Sequence, residues 1–358
     1  MADWRDNSQI TGDVVYFRYV TAGLEQNIDE VFVWDLDKTY LDTAIDSLGA
    51  LVRTAIERAF NKKNVPGTTT LLQILAQSWQ QRKGQSRFPL YFISASPPQM
   101  ESRIAEKFTI DNIRPFGCFY KDNLRNLTPK RLWRLNKQVG YKIQALLQLR
   151  MKLKSDVRQI CWGDDSESDA VIYNLYSDIC ARRIGAQDLR NVLKNLAVTA
   201  DQIDEILLLQ SQIPEQDPVE KIYINLAVDT DPDYYLKFGR RTLPTYNTFQ
   251  VACDLYQDHR IPVEAVYTVA RDMIFNYEFA PEELLRSFDE LIRRQVLGDS
   301  SVQALIPFFV EKGLFPASYR PSLVPLKETK VQEGRVYELE GHFEPWVPPR
   351  VDYLHDYR

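Results

Sequence analysis

The chain has 358 residues, 44% of them hydrophobic and 12% aromatic, with a net charge of −5. That length exceeds one typical domain and can bury a sizeable core. The charge argues against a general polyanion binder, and no apolar run approaches the ~18 residues of a membrane span. Four scattered cysteines without a CxxC pair exclude a disulfide framework or a zinc knuckle. The opening "MADWRDNSQITGD" lacks the basic-then-apolar layout of a signal peptide, so the cytoplasm is the expected compartment. All three histidines, His259, His342 and His355, fall late, so acid–base chemistry in the first half must come from carboxylates or lysine.

In chain order, "DVVYFRYV" and "EVFVW" read as strands, and Ser47–Lys63 has helical spacing. "TTTLLQILAQSWQQRKG" reads as a second helix, "LYFISASPP" as a strand stopped by proline, and "PQMESRIAEKF" as a helix. "GYKIQALLQLRMKL" reads as a helix, "RQICWGDD" as a buried strand and "SDAVIYNLYSDI" as the helix after it. Apolar strands alternating with helices predict an α/β fold with a parallel sheet covered on both faces. From about residue 200 the segments "ADQIDEILLLQSQI", "PVEKIYINLAV", "LPTYNTFQVACDLYQDH", "PVEAVYTVARDMIF", "APEELLRSFDELIRRQV" and "SVQALIPFFVEKG" all read as helices. The expected organisation is a catalytic domain over 1–199, an all-helical domain over 200–317 and a proline-rich arm over 318–358.

Ligands of open parallel sheets sit beyond the carboxyl ends of the strands. There stand Asp35, Asp37 and Thr39 after "VFVW", Ser94 after "LYFI", and Gly163, Asp164 and Asp165 after "QICW", with Asp169 following. Lys142 lies in the first turn of its helix, where a cation opposes the dipole unless an anion is near. Singly, each has a plain structural reading as a turn, a cap or a solvated charge. Together they spell a phosphate site. Converging carboxylates would hold a hard divalent cation, Mg²⁺, while Lys142 and Ser94 would bind a phosphoryl group. One carboxylate could attack phosphorus, and a second two residues away could shuttle the proton.

"DLDKT", "FISAS", "YKIQALL" and "WGDDSESD" together resemble the haloacid dehalogenase-like (HAD) hydrolase superfamily. "VPGTTTLLQILAQ", the Ser94-Ala95-Ser96-Pro97 element and "GDDSESDAVIY" with Tyr173 look more narrowly like the catalytic domain of actin-patch-associated phosphatidate phosphatases and bacterial relatives. The resemblance implies a HAD-like, Rossmannoid three-layer sheet. It implies Asp35 as nucleophile and Asp37 as the acid and base, with Thr39 ordering their loop. Ser94 and the backbone N–H of Ala95 would bind phosphoryl oxygens, and Lys142 would pair with both Asp35 and the phosphoryl group. The implied Mg²⁺ ligands are drawn from Asp35, the carbonyl of Leu36, Asp37, Asp164, Asp165 and Asp169.

Residues 121–158 carry eleven Lys or Arg against Asp122 and Asp156. They read either as a solvated helix face or as a surface attracting an anionic substrate or a peripheral anionic membrane. Aromatics are too few there to argue for nucleic acid. The expected function is a Mg²⁺-dependent phosphatase on phosphatidate, a phosphorylated small molecule or another phosphomonoester. The alternatives are a silent HAD-like scaffold that binds a protein through its helices, and a phosphohydrolase of nucleotide or nucleic-acid termini.

Overall fold

A computed structural model of the chain describes residues 4–21, 23–42, 64–122, 138–166, 168–227, 229–321, 331–332, 335–336 and 345–354. The helix expected over Ser47–Lys63 and most of the basic segment, 123–137, lie outside these residues.

Eight strands form one sheet in the order β1-β2-β5-β4-β3-β6-β7-β8. They are β1 (Gln9–Thr11), β2 (Val14–Arg18), β3 (Glu30–Asp35), β4 (Leu90–Ser94), β5 (Gly117–Lys121), β6 (Arg158–Asp164), β7 (Val219–Asn225) and β8 (Thr242–Thr245). β1 and β2 run antiparallel at one edge, and every pairing from β5 to β8 is parallel. The chain leaves β3 towards β4 and β5 on one side and later fills β6, β7 and β8 on the other. β3 therefore borders the switch point where a ligand crevice is expected.

The register is fixed by an aromatic row. Trp34, Trp162 and Tyr223 are cross-strand neighbours on β3, β6 and β7. Their rings stack with centroids 4.8 Å apart at each step. Phe32 continues the same face onto Trp79 of helix α1 (Thr68–Lys83) and onto Phe88. Large rings at adjacent positions hold strands in one alignment, because a slip of one residue would turn the whole row to the other face.

Helices cover the sheet in a three-layer α/β arrangement. α2 (Glu101–Ile110) follows β4. α3 (Val139–Lys152) and α4 (Asp169–Cys180) pack on each other, α3 against β2 and β4 and α4 against β6 and β7. α5 (Ala186–Asn195) and α6 (Ala200–Gln212) follow, with α6 laid along α3. α7 (Thr248–Gln257) and α8 (Val263–Tyr277) pack against α1, and α9 (Pro281–Arg293) and α10 (Asp299–Glu311) complete that side.

The expectation of an all-helical unit after residue 200 is corrected here. "PVEKIYINLAV" contains β7, and "LPT" belongs to β8, so both extend the first-half sheet. Inside β7, Lys221 is buried and bonded to Asp254 Oδ2 at 2.6 Å and Asp258 Oδ2 at 2.8 Å. In the C-terminal part, residues 345–354 fold back on the body. The amides of Arg240 and Arg241 bond the carbonyls of Pro345 and Trp346, and Tyr353 donates to Asp178 at 2.6 Å.

Because β7 and β8 complete the sheet, a chain cut after residue 200 would expose the backbone of β6 along its length. We expect such a chain to aggregate and to show no cooperative thermal transition by circular dichroism, in contrast to the full chain.

Candidate metal and phosphate site

β3 places Asp35 at its carboxyl end, fully buried, and the chain then turns tightly. In that turn the Leu36 carbonyl accepts the N–H groups of Tyr40 and Leu41 at 3.2 and 2.9 Å. The expectation that this carbonyl is a metal ligand is corrected on that ground, since both its hydrogen bonds close the turn. Lys38 sits in the left-handed region, φ 58°, which lets the chain reverse between Asp37 and Thr39. Thr39 is buried in the same turn, and its hydroxyl has no hydrogen-bond partner among the described residues.

Asp37 is 9% exposed, and its Oδ2 accepts the hydroxyls of Ser94 at 3.1 Å and Ser96 at 3.2 Å. The Ser96 amide in turn bonds Ser94 Oγ at 3.1 Å, so Ser94, Ala95 and Ser96 form a tight polar turn facing Asp37. Ser96 was part of the quoted "SASP" element, yet it was not assigned to the site. Tyr141 fixes the turn from below by donating to the Ser94 carbonyl at 2.8 Å. Burial pushes the Tyr141 phenol well up, so it remains a donor. Lys121 is a second residue outside the expected site set. It lies buried at the end of β5 beside this turn, its amide bonded to the Ser96 carbonyl at 3.3 Å.

Lys142, 1% exposed, reaches from the first turn of α3 into the centre. Its Nζ lies 2.7 Å from Asp35 Oδ1 and 2.6 Å from Asp169 Oδ1. This explains a cation at a helix start: two carboxylates outweigh an unfavourable dipole worth only ~0.3–1 kcal/mol. Asp169 opens α4, where the helix dipole favours a carboxylate, and its Oδ2 accepts the Asp164 amide at 3.3 Å. Asp164 Oδ1 accepts the Ser166 amide at 2.6 Å and also the Ser166 hydroxyl.

Oxygens of Asp35, Asp164 and Asp169 all lie within 4.8 Å of one another. Three buried carboxylates face one lysine, an all-oxygen donor set with excess negative charge. That set fits a hard divalent cation of the Mg²⁺ type. The structure does not bring every expected ligand there. Asp165 turns away and accepts the Ala227 amide at 2.8 Å and the Thr230 hydroxyl at 2.5 Å, anchoring the loop after β7. The Asp37 carboxylate likewise faces the serine turn instead of joining the cluster.

Residues 31–191 match the family model for the catalytic domain of phosphatidate phosphatase APP1, which bears out the resemblance read from the four motifs. No curated protein and no solved structure matches the chain. Among the described residues no helix is long and apolar enough to cross a membrane.

Gly163 gives the site a sharp steric test. A Cβ there would sit 2.4 Å from Asp169 Cβ and 2.5 Å from its Oδ2. Gly163→Ala must push Asp169 away from Lys142 and the cluster. We expect a loss of ~1–3 kcal/mol in chemical denaturation, together with at least tenfold weaker divalent-cation binding by calorimetry.

Proposed function

We propose, from the match over residues 31–191 and the acidic cluster beside the serine turn, that the chain is a phosphatase of the HAD type. In this reading it hydrolyses phosphatidate or another phosphomonoester with Mg²⁺ and an aspartyl-phosphate intermediate. The observation that carries the proposal is the convergence of Asp35, Asp164 and Asp169 within 4.8 Å around buried Lys142. A structural turn or cap has no need to gather three carboxylates at one buried lysine.

Asp35, Asp164 and Asp169 would hold Mg²⁺, which when bound offsets phosphoryl charge and orients the group for attack. Lys142 fixes the Asp35 carboxylate through Oδ1 and adds a positive charge beside the reacting phosphorus. Ser94 Oγ and the amide of Ala95 lie at the end of β4 and would donate to phosphoryl oxygens. Asp35 would attack phosphorus, forming an acyl-phosphate bond from a carboxylate oxygen to phosphorus as the bond to the leaving oxygen breaks. Asp37 gives that oxygen its proton. It then takes a proton from water, which attacks phosphorus and releases inorganic phosphate and the free Asp35 carboxylate. The hydroxyl of Ser96 would hold Asp37 in place through both half-reactions, while that of Ser94 would turn from Asp37 to the phosphoryl group when substrate binds.

Asp35→Asn should abolish turnover of p-nitrophenyl phosphate and of phosphatidate in mixed micelles, by roughly 10³-fold or more. Its melting temperature in chelator should hold or rise, because one of three crowded carboxylates loses its charge. Wild-type-like turnover by the folded variant would sink the mechanism. A wild-type chain inactive on every phosphomonoester with added Mg²⁺ would leave the scaffold reading in its place.

Asp37→Asn separates the two half-reactions. With p-nitrophenyl phosphate, whose leaving group needs no proton, the variant should accumulate phosphorylated Asp35, visible by intact mass as one added phosphoryl group. Turnover in the wild type should stop with chelator and return with Mg²⁺. A substrate profile across phosphatidate, nucleotides and sugar phosphates names the leaving group.

A further inference from the structure

A cavity of about 290 Å³ lies along the edge strand β8, and none of its lining residues is Asp35, Asp164, Asp169 or Lys142. Its walls are the 3₁₀ turn Pro232–Phe238, the end of α9 with the residues after it, and Trp346 from the returning C-terminal segment. Four cationic residues line it, Lys221, Arg240, Arg293 and Arg294, against Asp233 and Asp254.

Two of those cations are already committed. Lys221 is held by Asp254 and Asp258, and Arg293 makes a two-pronged pair with Glu290 at 2.7 and 2.9 Å. Arg240 donates to the Arg294 carbonyl at 3.1 Å, which sets the two arginines side by side. Arg294 is different. Its side chain is 9% exposed, and Nη1 donates to the Pro244 carbonyl at 2.9 Å. Nε stands 3.4 Å from Glu290 Oε1 without hydrogen-bond geometry, and Nη2 has no acceptor among the described residues. A guanidinium stays charged at any physiological pH and carries five N–H donors. Burying it with donors unused is unfavourable, and an oxyanion seated in the cavity would satisfy them. Burial, helped by neighbouring Arg293, pulls the Arg294 pKa down from its ordinary value, with Glu290 acting the other way.

We propose that this cavity is a second binding site, for a small molecule whose phosphate or carboxylate group docks on Arg294 and Arg240. Tyr235 and Trp346 add flat apolar walls, so the rest of such a molecule can be a ring or a short chain. None of the lining residues belongs to the acidic cluster.

The test titrates inorganic phosphate, and separately citrate, into the full-length chain by calorimetry in the presence of chelator. Four proteins are compared: wild type, Lys142→Ala, Arg294→Lys and Arg240→Gln. Binding of at least one of the two anions should survive in Lys142→Ala, which removes the cation of the catalytic pocket. If that variant does not melt cooperatively, Ser94→Ala takes its place, since it removes a phosphoryl donor without stranding the carboxylates. The same binding should fall tenfold or more in Arg294→Lys, which keeps the charge but loses the planar fork. If Arg294→Lys does not melt cooperatively, Arg240→Gln takes its place, with the same expected loss. The anion that binds distinguishes a phosphorylated from a carboxylate ligand. Absence of binding by either anion in the folded catalytic-pocket variant would overturn the proposal, as would unchanged binding in the folded arginine variant.

Discussion

The buried Lys142 ammonium is the constraint on which the centre of this protein depends. Three carboxylates, Asp35, Asp164 and Asp169, are drawn together in a place with almost no water. Each carries a large desolvation cost, and their mutual repulsion adds to it. Lys142 touches two of them directly and is the charge that lets the ends of strands β3 and β6 meet the start of helix α4. Removing one member of a buried ionic group typically costs ~3–5 kcal/mol when it leaves a charge uncompensated. Here the balance is asymmetric. Loss of the lysine strands three like charges, whereas loss of one carboxylate brings the cluster nearer neutrality.

That ionic centre needs strands that end level with one another, and the aromatic row supplies the alignment. Trp34 stands one residue before Asp35, and Trp162 two before Asp164. Stacking Trp34 on Trp162 thus sets the height of both carboxylates, and Tyr223 carries the same level into β7. Gly163 completes the fit, since only a residue without a side chain lets Asp169 lie against the end of β6.

Much of this centre could be read from the sequence, because strand-end carboxylates after apolar runs are conspicuous. Asp35, Asp37, Ser94, Lys142, Asp164 and Asp169 all stand at strand or helix ends in the sequence; the structure brings Asp35, Asp164, Asp169 and Lys142 together and sets Asp37 against Ser94. Asp165 and the Leu36 carbonyl are not distinguishable by sequence from the three carboxylates that cluster. Which way a side chain or carbonyl turns is decided by partners such as Ala227, Thr230, Tyr40 and Leu41. Up to β6 the fold is legible except for the short strands β1 and β5, and beyond β6 the sequence misleads. In β7, Val219, Ile222, Tyr223 and Leu226 repeat at helical spacing, and the charges at Glu220 and Lys221 break any strand-like run. The strand is covered on both faces, so periodicity carries no information about it. Lys221 is tolerated there because Asp254 and Asp258 arrive from α7 and its end, a pairing no local pattern announces. β5 was missed for its brevity, five residues that open on a glycine.

The two margins of the sheet bear on how this protein behaves at high concentration. A parallel sheet with open borders is a template on which further strands, its own or a neighbour's, can assemble into fibrous aggregates. β1 closes one border as a strand of only three residues. β8 closes the other in four residues with Pro244 among them, and proline cannot donate to a ninth strand. The turn Pro232–Phe238 lies against β8 as well. The two ends of the sheet therefore resist lateral accretion, and colloidal stability of the folded chain is built into the strands farthest from its chemistry.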